Sequence, residues 1–562
     1  MNNLLLIAGF FLSAVVAVPA TGQVRYTVEP VQTTSLIHLR VEMAFSAEAN
    51  SETRLALPED RFGVGEMHRW IRNLEAEGGA DLTRIEGGRY RVRHRPNNEV
   101  RLSYEIAYDP GEAGFLAFGP SVGPDHFHFF GSQWMARLES QQGRREVEVQ
   151  FRMKDGSGAL GSSFGIGPGP HLVRASDYDF DYSVIAGGRY RTAQGRCHGR
   201  PVETMIQGDF EIPDSTVFSL VRKIVCGQRE LFEDFDRPFF TVFVTERDRL
   251  QAGAPVLHGF TAFVDAATDE AELRRLLAHE MIHTWFPRTA RLVEPERPDA
   301  PETRTRWFHE GFTEYLSRMT LVGQGLETRA WMAERTNEDL ERLAYHPHAT
   351  ATLDELEEAV REGRYTNSHH RLHYRRGALL GLCWDQQIRD WSGGKHTLLD
   401  PLREVVREAR ASGGVIGLDR FGQILSQYGV DALGDVRRHL EERVPITVDA
   451  EALGADYHLG SRRLPSFEPG FDVAATLWNG AVTGLQENGP AARAGLREGM
   501  KIVNLENATP WIGTDIVSPR IGRWDPDEVT VVVVEADGRR HRFAFSARGP
   551  VREIPMFRPS SE

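Results

Sequence analysis

Two histidines four residues apart set the tightest constraint on this chain. His279-Glu280-Met281-Ile282-His283 lies in a run whose apolar residues, Leu273, Leu276, Leu277 and Met281, recur at helical spacing. On an α-helix, positions i and i+4 share a face one turn apart, so both imidazoles can reach one metal ion. Asp269 followed by Glu272 predicts a capping box at the helix start, and Pro287 closes the segment after Phe286. Glu280 sits at the rim of the same face, where its carboxylate can reach a metal-polarised water without ligating the metal. The bland alternative is a pair of core histidines bonded to backbone carbonyls.

A third ligand is expected downstream, on a second helix read from Trp307 to Leu316. Glu310 is the choice, because two imidazoles and one carboxylate leave a fourth tetrahedral position for water, as a catalytic zinc requires. Glu314 follows one turn later. It could accept a hydrogen bond from the free ring nitrogen of a ligand histidine and hold its tautomer, or simply be a solvated helix glutamate. His309 is a rival ligand, but it points about 100° away from Glu310 on a helix. Glu302 is a weaker rival, in the Pro- and Arg-rich connection 295–306.

The run His279-Glu280-Met281-Ile282-His283-Thr284-Trp285-Phe286, followed by Trp307-Phe308-His309-Glu310-Gly311-Phe312, resembles the gluzincin metallopeptidases. A gap of 26 residues separates His283 from Glu310, which looks more like the glycyl aminopeptidase family than the large aminopeptidases. His373-Tyr374-Arg375-Arg376-Gly377 resembles the Tyr-x-Lys/Arg-Gly element that supplies a transition-state tyrosine in gluzincins, with His369, His370, His373 and Tyr365 as nearby rivals. Asn488-Gly489-Pro490-Ala491-Ala492-Arg493-Ala494-Gly495-Leu496, with the strand-like segments after it and the turn signal Asp537-Gly538, resembles a bacterial-type PDZ domain. A zinc-peptidase core followed by such a module is the arrangement of the PDZ-containing glycyl aminopeptidases.

The resemblance implies a thermolysin-like, mainly helical catalytic domain. It implies one zinc ion held by His279, His283 and Glu310, Glu280 as general base and Tyr374 as oxyanion donor. The substrates it implies are peptides or proteins, and the PDZ-like module would bind peptide C-termini or only pack on its neighbours. One departure stands out. Aminopeptidases of this kind carry an acidic residue on an edge strand to capture the substrate's free amine, and the segment Pro255 to Val264 contains none. Asp265 at its end is a possible substitute. Aminopeptidase and endopeptidase action therefore both stay open. The alternative is a catalytically inactive peptidase fold that holds peptides through its PDZ-like module.

At 562 residues the chain suggests about three domains. The expected fold is multidomain α+β: a signal peptide over 1–23, an N-terminal antiparallel β domain over 24–213, the metallopeptidase domain over 214–460 and a PDZ-like β module over 471–548. The region 445–470 reads as a linker or tail. A net charge of −14 argues against an electrostatic nucleic-acid partner. The apolar stretch Leu4 to Val18, followed by small residues, resembles an export signal and places the mature protein in a bacterial periplasm or outside the cell; an uncleaved anchor is the alternative. No later segment is apolar enough to span a membrane. Among three cysteines, Cys197 and Cys226 are the pair expected to form a disulfide, while Cys383 reads as helix packing.

Overall fold

A computed structural model describes residues 23–47, 49–59, 66–113, 117–154, 158–248, 250–297, 301–346, 348–473, 475–476, 480–506, 529–534 and 539–560. The apolar Leu4–Val18 stretch and the Asp537-Gly538 turn lie outside these residues. By internal contacts the chain divides into two compact units, Met1–Gly188 and Arg189–Glu562.

The first unit is built of β-sheet. Ile37–Ser46 buries Ile37, Leu39, Val41, Met43 and Phe45 on one face, and Glu99–Ile106 buries Val100, Leu102, Tyr104 and Ile106. This period of two is what a half-buried strand requires. Both strands sit in a six-stranded sheet with Val24–Gln32, and two four-stranded sheets complete the unit. The pairing is antiparallel except between Val24–Gln32 and Arg145–Phe151, which run parallel.

The second unit opens with a five-stranded sheet. Its order is Arg191–Cys197, Arg200–Gln207, Phe240–Glu246, Gly259–Val264 and Gln251–Val256. The first two strands fall before Pro213 in sequence yet pair into this sheet, because Arg200–Gln207 runs parallel to Phe240–Glu246. Phe240–Glu246 is buried as far as Thr245 and Gly259–Val264 along its whole length, as a sheet covered by helices demands. The helix Asp214–Leu231 packs Val217, Leu220, Val221 and Ile224 into the main core, and a Cys197–Cys226 disulfide ties it to the first strand. Cys383 is partly buried, and its thiol donates to the Thr447 carbonyl.

Helices follow: Glu270–Ile282, Thr313–Gly323, Arg329–Ala344, Leu353–Arg361, Asn367–Ser392 and Leu399–Ala411. One of them is approached unusually closely. The turn Trp307–Phe312 packs on Asn367–Ser392 through facing glycines, so that a Cβ on Gly377 would sit 1.9 Å from the Trp307 carbonyl oxygen and 2.7 Å from the Gly311 Cα. No side chain fits between them.

The stretch read as a linker forms a strand. Tyr457–Phe467 pairs antiparallel with Arg548–Pro559 as a two-stranded ribbon, which lies on the helix Arg329–Ala344. Asn337 binds this ribbon as a neighbouring strand would, donating to the Phe557 carbonyl at 2.9 Å and accepting from its N–H at 2.7 Å. Between the ribbon's strands the chain builds a small β module. Its three strands, Lys501–Glu506, Val529–Val534 and Arg540–Phe545, form one sheet, and Phe471, Val482, Ala491, Leu496 and Val531 fill its core. Among the described residues no helix is long and apolar enough to cross a membrane.

The glycine contact yields a paired test. Gly377→Ala should destabilise by about 3 kcal/mol, the upper range for overpacking. Gly381→Ala, whose Cβ would meet the Tyr315 side chain first, at 3.1 Å, should cost less than about 1 kcal/mol, offset by alanine's better helix propensity. Denaturant unfolding of the two variants checks this, and equal losses would refute the close-contact account.

Candidate metal centre

The helix Glu270–Ile282 starts where its cap predicts. The Asp269 side chain accepts the Glu272 N–H at 2.8 Å, and Glu272 returns the bond to the Asp269 N–H. His279 lies in the last turn and His283 directly follows it with helical backbone angles. Both rings point Nε2 inward. The outer nitrogens are occupied: His279 Nδ1 is 3.1 Å from Glu314 Oε2, and His283 Nδ1 is 2.7 Å from the Phe286 carbonyl. Each of these acceptors fixes its ring as the Nδ1–H tautomer, which leaves the Nε2 lone pair for a metal.

Glu310 completes the set. It comes from a π-helical turn, Trp307–Phe312, which runs on into the helix Thr313–Gly323; the wider turn is where the expected second helix departs from α geometry. His279 Nε2 and His283 Nε2 are 3.1 Å apart, and Glu310 Oε2 lies 3.5 and 3.4 Å from them. A tetrahedral zinc with ligand bonds of about 2.0–2.1 Å has ligand-to-ligand edges of about 3.3–3.4 Å. Glu310 Oε2 is buried and makes no hydrogen bond. Donor type, spacing and this unsatisfied oxygen all fit one zinc ion. Among the described residues this is the one group of three or more such side chains placed to hold a metal.

The rivals have other partners. His309 is buried and its Nε2 accepts the Leu292 N–H at 3.0 Å; burial pushes its imidazole down to about 3, so it stays neutral. Glu302 is largely exposed and lies 3.5 Å from Arg306. Glu314 is not a solvated glutamate. Its second oxygen accepts from Arg318 Nε and Nη2 at 3.0 and 2.8 Å, and Arg318 Nη1 reaches Asp339 at 2.6 Å. The chain His279–Glu314–Arg318–Asp339 thus anchors one ring through three side chains.

The charge balance favours a cation. Burial alone would lower the His279 imidazole, but the carboxylates of Glu310 and Glu314 outweigh it and hold it at about 10. Burial opposes ionisation of Glu310, yet the adjacent His283 and His279 keep its carboxyl well below the ordinary range.

Glu280 lies beside the cluster. Burial raises its carboxyl above the usual glutamate value, and its Oε2 has no hydrogen-bond partner. It sits against Gly253, where a Cβ would come within 2.4 Å of the Glu280 Cδ. Gly253 belongs to Gln251–Val256, the outer strand of the five-stranded sheet. The edge strand is therefore Gln251–Val256, joined by the turn Leu257-His258 to the buried Gly259–Val264. Neither the strand nor the turn carries a carboxylate. Asp265 caps a turn by accepting the Ala267 N–H at 2.9 Å.

Tyr374 lies two turns into Asn367–Ser392, its ring parallel to that of His279 at 5.7 Å. Burial and then the Glu310 carboxylate keep its hydroxyl protonated. Of the tyrosine's rivals, His369 caps its own helix through the Thr366 N–H, and His370 faces Arg306. Sequence reading did not single out Gly253, Arg306, Arg318 or Asp339. Only Arg318 carries a local signal, four residues after Glu314 on one helix face.

Residues 272–380 match the family model of the M61 glycyl aminopeptidases. Over the whole chain, an aminopeptidase N family protein from Idiomarina loihiensis shares the fold, with 17% identity, coverage of 96% of this chain and 98% of that one, and a TM-score of 0.68. An M1 zinc metallopeptidase from Deinococcus radiodurans, whose structure holds a Tyr-Ser-Ala substrate, aligns at 15% identity, 76% and 95% coverage and a TM-score of 0.46. No curated protein matches the chain. The donor set and the family match over it identify a zinc metallopeptidase whose site region is similar to the M61 glycyl aminopeptidases.

Proton and ion compete for the same His279 lone pair. Because that imidazole holds a proton up to about pH 10, zinc binding at pH 7.5 should release at least one proton, and affinity should rise about tenfold per pH unit for each proton released. Calorimetry in buffers of different ionisation enthalpy reads this directly. Glu314→Gln should weaken zinc binding by about 10- to 100-fold; unchanged affinity would show that the anchoring chain is idle.

Proposed function

We propose that the protein is an exported zinc peptidase that cuts peptide bonds, with His279, His283 and Glu310 as zinc ligands, Glu280 as general base and Tyr374 as oxyanion donor. The observation that carries this reading is the convergence of two Nε2 atoms and one carboxylate oxygen to 3.1–3.5 Å, beside a buried glutamate with an open oxygen. A bound zinc supplies Lewis acidity and a water acidified toward neutrality. Glu280, raised by burial, takes a proton from the attacking water and returns it to the leaving amine. Tyr374 keeps its proton and offers it as a hydrogen bond to the carbonyl oxygen as charge develops there. Glu314, with Arg318 and Asp339 behind it, holds His279 in the required tautomer.

The outer strand Gln251–Val256 pairs only with Gly259–Val264 among the described residues, so its other edge suits an extended peptide. With no carboxylate on that strand or its turn, recognition of a free amine has no obvious partner, which favours internal cutting over trimming from the amino end. Export is supported by the Leu4–Val18 stretch and by the Cys197–Cys226 disulfide, a bond that persists in oxidising compartments. The C-terminal module is proposed as a PDZ-type peptide holder: its core includes Ala491 and Leu496 of the Pro490–Leu496 element.

Glu280→Gln should keep one zinc per chain and lower kcat by about 100- to 10,000-fold. Tyr374→Phe should lower kcat about 100-fold or more with little change in KM. Full turnover by the Glu280 variant would remove it as base. The acid limb of kcat/KM should fall as pH drops through a value above the ordinary glutamate range, since the base must be ionised. Digestion of a peptide library, with free and acetylated amino ends compared by mass spectrometry, separates internal cutting from trimming; loss of cleavage on acetylation would overturn the endopeptidase preference.

A further inference from the structure

We propose that the zinc site recognises peptides through a substrate carboxylate, bound by Arg306 in a pocket formed with Tyr365 and His373 next to Tyr374. This deepens the peptidase reading and rests on it. Arg306 directly precedes the π turn that carries Glu310, and its side chain is 23% exposed. Its guanidinium is oriented from behind: Nη1 donates to His370 Nδ1 at 2.8 Å. Burial, and then Arg306 itself, push His370 down to about 4, so the ring is a neutral acceptor and adds no charge. The guanidinium lies within electrostatic reach of Glu310, Tyr365 and Tyr374, which places it beside the reacting centre.

Two further polar groups lie within electrostatic reach of it. The Tyr365 hydroxyl is buried near Arg306. His373 is 2% exposed, stands 6.4 Å from the Tyr365 ring, and its Nε2 makes no hydrogen bond. A buried ring nitrogen without a partner is costly, and a ligand group is one way to satisfy it. The carboxylates nearby do not fill this role. Glu310 belongs to the metal cluster, and Glu302 is 61% exposed and 3.5 Å from the guanidinium, beyond ordinary charge-assisted hydrogen-bond length. The planar fork of an arginine suits a carboxylate. The carboxylate has two sources, a substrate Asp or Glu side chain or the free C-terminus.

The test uses the full chain and matched peptide pairs: Glu against Gln at each position flanking the cut, and C-terminal acid against C-terminal amide. Wild type should prefer the carboxylate member of one pair by about 10- to 100-fold in kcat/KM. The pair that shows the preference names the source. Arg306→Gln should bring that ratio near one, and Arg306→Lys should restore part of it, with zinc content and Tm measured for each variant. Calorimetric binding of the same pairs to Glu280→Gln protein gives a readout independent of turnover. No preference in either pair, or a preference that survives in Arg306→Gln, overturns the proposal. If wild type cuts no peptide while Glu280→Gln protein still discriminates acid from amide through Arg306, the peptidase reading fails and carboxylate recognition stands.

Discussion

A carboxylate and two imidazoles crowded to 3.1–3.5 Å in a buried place cannot be held there by hydrophobic packing alone. Desolvating Glu310 is costly, and only positive charge at the shared centre offsets it. The pull is visible in the groups themselves: His279 is held at about 10 while Glu310 is driven well below its ordinary value. The surrounding fold is organised to keep these three donors aimed at one point. The capped helix Glu270–Ile282 sets the two rings, the π turn sets the carboxylate, and the facing glycines at 311 and 377 bring the tyrosine helix within reach.

Outward from this centre the charges alternate. Glu314 answers His279, Arg318 answers Glu314 and Asp339 answers Arg318, so each buried charge meets its opposite before it meets apolar surface. Such a chain has two consequences. It orients a ligand ring more tightly than any single hydrogen bond, and it ties that ring to the helix Arg329–Ala344, which also receives the C-terminal ribbon through Asn337. On the other side of Glu310 the pattern differs. Arg306 is met by a neutral histidine; of the carboxylates around it, Glu310 belongs to the metal cluster and Glu302 is largely in solvent. The zinc cluster thus has a closed electrostatic flank and an open one, and the open flank is where a substrate carboxylate can still add a favourable contact.

The outer strand of the five-stranded sheet shows how a small displacement in sequence changes a functional reading. Pro255 to Val264 looks like one strand in the linear chain, but it folds as the end of one strand, a two-residue turn and the strand behind it. The residue beneath Glu280 is Gly253, two positions before that segment begins. The carboxylate expected for amine capture is missing from the true edge strand as well, so the functional consequence is unchanged although the strand is a different one.

What the sequence determined by itself was chemistry with short spacing. His279 and His283 need only a helix to share a face, the Asp269–Glu272 box announces that helix, and Ile37 to Met43 declares a strand through its period of two. Glu310 and Tyr374 were singled out because their flanking motifs resemble known elements, not because any local rule brings residues 310 and 374 to residue 279. Only the tertiary structure decided the rest. The Arg191–Gln207 hairpin joined the catalytic sheet, the presumed linker became one strand of a ribbon, and Asp339, Arg306 and Gly253 took places around the site. The reason is physical. Periodicity and capping act over a few residues along the chain, whereas strand pairing, a glycine-to-glycine approach and charge neutralisation depend on which surfaces meet when distant segments share a core.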